Sequence, residues 1–165
     1  MKLNKFIKFS FVLVCLVLTS CSQEDDGIFL NNKDDSFVAN YSEFEYQILD
    51  LVNNHRQNLG LNSLGIINEA TKEAVSHTNY MVDQGVPSHD NFGERFNNLK
   101  SAVNAKHVAE NVAYGYSTAE GVVNAWLNSK RHRSIIENAE FTDFGISTKS
   151  NDDGKNYFTH RFVKR

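Results

Sequence analysis

His107-Val108-Ala109-Glu110-Asn111-Val112-Ala113-Tyr114-Gly115-Tyr116 is the stretch on which the fold turns. Val108, Glu110, Val112 and Tyr114 alternate with His107, Ala109, Asn111 and Ala113, the two-residue rhythm of a strand or extended segment. Glu110 falls on the side that carries Val108 and Val112. A carboxylate there is costly to bury unless it is paired or hydrogen-bonded.

Upstream the pattern is helical. Ser42-Glu43-Phe44-Glu45 is a capping box, in which hydroxyl and carboxylate satisfy each other's orphan backbone donors. Phe44, Ile48, Leu51, Val52, His55 and Leu59 then recur at helical spacing up to Gly60, a natural stop. A second helix is predicted over Glu69 to Gln84, with Ala70, Ala74, His77, Thr78 and Met81 on one side and Gly85 at its end. A short third covers Phe92 to Ser101. Downstream, Ser117-Thr118-Ala119-Glu120 reads as a second capping box that opens a helix through Val122, Val123 and Trp126. Another short helix covers Arg131 to Asn138. Phe144 to Thr148, the turn-rich Ser150-Asn151-Asp152-Asp153-Gly154 and Asn156 to Val163 make a hairpin. The expected class is α+β, a small antiparallel sheet flanked by helices.

The 165 residues suit one domain; 41% are hydrophobic and 22% charged, which excludes a disordered chain. A formal net charge of -3 excludes a general nucleic-acid binder. Lys2, Lys5 and Lys8 precede the apolar run Phe9 to Leu18, the layout of a secretion signal over residues 1–20 and too short for a membrane span. Leu18-Thr19-Ser20-Cys21 resembles the bacterial lipobox, so Cys21 is the expected acylation site and the new first residue. Only Cys15 and Cys21 are present, which leaves the mature domain without a disulfide. Residues 21–41, acidic and Asn-rich without periodicity, read as a tether reaching on the order of 25 Å. Its first acids resemble an export tag for the outer face of the outer membrane, or serve solvation alone. The folded domain is expected over 42–165.

No thiol remains for nucleophilic chemistry, and the chain has no His-Glu-x-x-His helix, Gly-x-Ser-x-Gly elbow or phosphate-binding glycine loop. Three residues stand out instead. His89 lies in the loop Pro87-Ser88-His89-Asp90, Glu110 on its apolar strand face, and His132 near the start of a helix, where the dipole favours neutral imidazole. His77 and His160 read as packing residues, and His55 and His107 carry no functional signal.

These residues fall into a known order. Leu51-Val52-Asn53 with Arg56, Ser88-His89, Ala109-Glu110-Asn111-Val112-Ala113, Trp126-Leu127-Asn128-Ser129-Lys130-Arg131-His132-Arg133 and Phe144-Gly145-Ile146 resemble the CAP superfamily of cysteine-rich secretory, antigen 5 and pathogenesis-related proteins, in its short bacterial branch. The resemblance covers about residues 45–163. It implies an α-β-α sandwich whose central cleft holds two histidines and acidic residues, and which in several members binds a divalent metal, often zinc. By that resemblance the metal-binding histidines are His89 and His132, and the first cleft glutamate is Glu110. The family's second glutamate is replaced here by Ser129, which counts against a mechanism that needs two carboxylates.

The resulting expectation is a lipid-anchored, extracytoplasmic binding module, at the outer membrane or cell surface. Its cleft of His89, Glu110, His132 and Ser129 takes a lipid, peptide or envelope ligand, with a weakly held zinc or other divalent cation. Two alternatives stand beside it: a metal-dependent hydrolase or peptidase, and a structural or host-interaction surface protein.

Overall fold

The computed structural model describes residues 37–165. The signal segment, Cys21 and most of the tether lie outside the described residues. The elements run α1 (Glu43–Asn58), β1 (Gly65–Ile66), α2 (Asn68–Gln84), α3 (Phe92–Val103), β2 (His107–Tyr114), α4 (Ala119–Asn128), α5 (Lys130–Ile136), β3 (Asp143–Ser150) and β4 (Asn156–Lys164). No helix among the described residues is long and apolar enough to cross a membrane.

The four strands lie in the order β1-β3-β4-β2. The hairpin β3/β4 and the pair β2/β4 are antiparallel as expected. β1 pairs in parallel with β3, so the sheet is mixed. Two residues carry no periodicity, which is why the sequence pattern shows no strand there. β4 is buried along nearly its whole length because helices cover both faces. On one face Phe144, Ile146, Phe158 and Phe162 pack with Ile48 and Val52 of α1 and with Val122 and Trp126 of α4. On the other, Val108 and Val163 pack with Ala70 of α2 and Leu99 of α3. The result is an α-β-α sandwich in which β2 is an edge strand.

Local chemistry explains the joints. The capping box at Ser42 forms as read, and Glu45 reaches further to accept from the Thr148 amide at 2.7 Å, tying α1 to β3. The box expected at Ser117 does not form: Thr118 is the N-cap, accepting from Gly121 N at 3.0 Å. Arg56, fully buried, donates to the Ile136 and Asn138 carbonyls at 2.6 and 2.9 Å and so fixes the end of α5 from α1. At Gly145 the sheet touches α2 so closely that a Cβ would sit 2.4 Å from Thr71 N. At the N-terminal end of the described residues, Ala39 N donates to Asn68 Oδ1 at 3.3 Å and the Tyr41 hydroxyl meets Thr71 Oγ1, both on α2.

His160 packs as expected, 0% exposed among Trp126, Phe144 and Phe162. Neither ring nitrogen has a hydrogen-bond partner among the described residues. Burial pushes its pKa down to about 3, so the folded protein holds it neutral. The unfolded chain takes up that proton near pH 6.5. The contribution of His160 is therefore complete above pH 6.5 and is lost as pH falls toward 3. Urea denaturation between pH 7 and 4 should show stability declining on acidification, with a shallower decline in His160→Leu; equal slopes for the two proteins would contradict this.

Candidate functional site

Glu110 is the only acidic residue of β2, and its side chain is 1% exposed. Its register partner on β4 is Arg161, itself fully buried. Arg161 Nη1 donates to Glu110 Oε2 at 2.5 Å. From α3, Arg95 donates through Nη2 to both carboxylate oxygens at 3.0 Å and through Nε to Oε2 at 3.2 Å. From the loop before α3, His89 Nδ1 donates to Oε1 at 2.9 Å. Three chain segments thus converge on one carboxylate. The charge left uncompensated on Glu110's apolar strand face in the sequence is met by cations rather than by solvent.

Burial pushes the Glu110 carboxyl up, yet the His89 hydrogen bond and the charges of Arg161, Arg95 and His77 outweigh it and hold it below the usual carboxylate range. Arg161 is lowered to about 10, chiefly by burial, and remains charged at neutral pH. His77 on α2 is buried, donates from Nε2 to the Ser88 carbonyl at 2.7 Å, and lies 3.7 Å from Glu110. Burial lowers its pKa against the pull of that carboxylate. Its bond to Ser88 also fixes the loop that presents His89.

The open flank of β2 is the cleft. One recess, about 350 Å³, is lined by His89, Phe92, Val108, Ala109, Glu110, Arg131 and Ile135. A second, about 280 Å³, lies further along the strand, lined by Val112, Ala113, Tyr114, Tyr116, Ala125, Trp126, Ser129 and His132. Between them, Asn111 Nδ2 donates to the His132 carbonyl at 3.1 Å and secures the first turn of α5 against β2. The structure therefore bonds His89 to Glu110 directly and puts His132 beside Ser129 in the neighbouring recess. His132 is half-buried, and its pKa is lowered first by burial and then by the charges of His89 and Arg131. Burial leads among these causes, where the helix position alone was the expected one.

Among the described residues, no group of three or more His, Cys, Asp and Glu side chains is arranged to hold a metal ion. Glu110 already accepts from two guanidiniums and an imidazole. That leaves His89 Nε2 and the His132 ring as nitrogen donors, one fewer than the three protein ligands usual in a catalytic zinc site. The Glu110–His89 bond is of the type that orients a metal-bound imidazole from behind. Arg95 and Arg161 were not anticipated from the sequence. Arg161 carried a signal, however, as a charge within the otherwise strand-like Tyr157 to Val163, which needs a buried acid opposite it.

An α-β-α sandwich with paired histidine recesses on an edge strand defines a class of protein. Residues 49–162 match the family described as CAP, the Cysteine-rich secretory protein family, and the chain belongs to that family. It is 35% identical over 118 residues to the uncharacterized protein YkwD of Bacillus subtilis (strain 168), covering 70% of this chain and 46% of YkwD. It is 32% identical over 126 residues to the uncharacterized membrane protein YlbC of the same organism, covering 73% of this chain and 34% of YlbC. The chain thus spans less than half the length of either curated relative. Among solved structures, an outer surface protein from Borrelia burgdorferi superposes with a TM-score of 0.69 at 25% identity, covering 77% of this chain and 96% of the Borrelia protein.

Removing one partner of a buried ion pair leaves an uncompensated charge, at a cost of about 3–5 kcal/mol. Glu110→Gln should therefore destabilise the domain by about that amount in denaturant titration, and Glu110→Gln combined with Arg161→Met should cost less than the sum of the two single changes. Additive losses would mean that the two groups are not coupled.

Proposed function

We propose that this protein is a surface-tethered, non-enzymatic binding module. Acylated Cys21 anchors it to a bacterial membrane, at the outer membrane or cell surface; the segment between Cys21 and Ala39, where the chain docks on α2, acts as the spacer, and the cleft on the edge of β2 holds a small lipid, peptide or envelope ligand. The supporting observation is the state of Glu110. A general base needs a free lone pair facing the substrate and a pKa near the working pH, whereas this carboxylate is buried, lowered and bound by Arg95, Arg161 and His89. Ser129, where the family pattern has a second glutamate, supplies no replacement. What remains open to a ligand is His89, His132, Arg131, Ser129, Tyr114, Tyr116, and apolar side chains such as Phe92 and Ile135. That is a surface for holding, and it favours binding over the hydrolase reading.

Any divalent cation would be held by His89 and His132, and when bound would add a Lewis-acidic point to the cleft. Two imidazoles beside Arg131 imply a weak site.

Three experiments test this reading. Cys21→Ser should move the protein from the membrane to the soluble fraction; unchanged partition would remove the anchor. Mass spectrometry of the purified full chain should find a retained small molecule that is lost in Ile135→Arg, and zinc-supplemented protein should leave a peptide library uncut. Zinc-dependent cleavage abolished by His89→Ala and His132→Ala would establish the hydrolase instead.

A further inference from the structure

We propose that the recess beside α5 is a subsite for an acidic oligosaccharide, a ligand class that rests on the binding reading above and narrows it. Two observations that neither the fold nor the Glu110 cluster explains lie side by side here, because consecutive residues of α5, Arg131 and His132, line the two neighbouring recesses.

The first is charge. Lys130-Arg131-His132-Arg133 forms a basic run on a chain of formal net charge -3. Lys130, Arg131 and Arg133 are exposed, and among the described residues none of them is paired with a carboxylate. An ordinary solvated face on an acidic protein mixes the two signs. This run does not, and Arg131 and His132 each line one of the two recesses.

The second is aromatic. Tyr114 and Tyr116 are 42% and 38% exposed and border the recess that holds Ser129 and His132. Both are held in place. The Tyr114 ring lies 4.6 Å from that of Tyr157, and Asn156 Nδ2 donates to the Tyr116 carbonyl at 2.9 Å. The Tyr116 ring also lies over Gly121, 3.6 Å from where a Cβ would stand. Rigid tyrosines offer a large amphipathic contact at little conformational cost.

Together these features match one chemistry. A pyranose presents a C–H face that packs on an aromatic ring and hydroxyls at its rim. The Ser129 side chain caps neither neighbouring helix, so its hydroxyl is available to such a rim, as is the His132 imidazole. A carboxylate on the next sugar, at the neighbouring recess, meets the Arg131 guanidinium, whose planar fork suits it. An acyl chain would need an apolar enclosure throughout, whereas here the apolar Val112, Ala113, Ala125 and Trp126 share the wall with two tyrosines, a serine and a histidine.

Trp126 is the chain's single tryptophan and lines the recess, so its emission reports occupancy. The full chain in detergent would be titrated with tri-galacturonate and sialyl-lactose, and with tri-galactose and lactose as neutral counterparts. The expected result is a saturable change with an acidic sugar and none with its neutral counterpart. The acidic sugar should bind at least tenfold more weakly in Arg131→Gln and in Tyr116→Ala, two exposed positions whose folding circular dichroism would verify. Equal response to neutral sugars, wild-type affinity in both variants, or no response to any sugar overturns the proposal. A response to palmitate alone, lost in Ile135→Arg, overturns it while the binding-module reading stands; absence of any retained ligand in the mass-spectrometric test brings down both.

Discussion

A single carboxylate that cannot reach water holds the functional end of this domain together. Glu110 is the meeting point of β2, β4, α3 and the loop before α3, because its charge must be answered within the fold. Arg161 comes from the neighbouring strand and sits opposite by register, so strand pairing and charge pairing enforce each other. Arg95 draws α3 over the same point and also donates to the Asp90 carbonyl at 2.5 Å, closing the loop on which His89 rides. The position of His89 thus follows from this electrostatic need together with the His77 bond to the Ser88 carbonyl. A slip of one residue in β2 would move Glu110 to the opposite face and leave two guanidiniums buried without a partner.

The cleft follows from the edge position of β2. An open strand edge is normally covered or charged to prevent unwanted pairing. Here α5 and the His89 loop approach it from the two helical layers, leaving recesses instead of a seal. Asn111 and Trp126 take part in this arrangement: Trp126 Nε1 donates to the Val112 carbonyl at 3.1 Å and Asn111 Nδ2 to the His132 carbonyl.

Much of the fold was legible because its signals are local. The Ser42 capping box, the period of α2 and the β3/β4 hairpin each need only a few adjacent residues. The second box was misplaced by one position because Ser117 and Thr118 are both capable caps, and the choice depends on how the chain leaves β2. β1 was invisible, since pairing partners rather than pattern define it. In the site, Glu110 announced itself as a charge on an apolar face, and the order of motifs singled out His89, His132 and Ser129. Arg95 and Arg161 could not be assigned to Glu110 without the register, which no local pattern contains. Tyr114 and Tyr116 carry no such signal, because the recess that they border forms only where α4 and the start of α5 pack beside β2.

The junction at residues 39–45 has a mechanical meaning. Ala39 and Tyr41 are fastened to α2, and Glu45 grips the amide of Thr148 on β3. A pull applied to the chain before residue 37 is therefore taken up on α2 and on the β3 side of the sheet, whereas the cleft lies along β2 at the far edge. Force then enters at one margin of the domain, and the recesses lie at the other. Load applied from the N-terminal side would reach α2 and β3 first, and the edge strand β2 only through them.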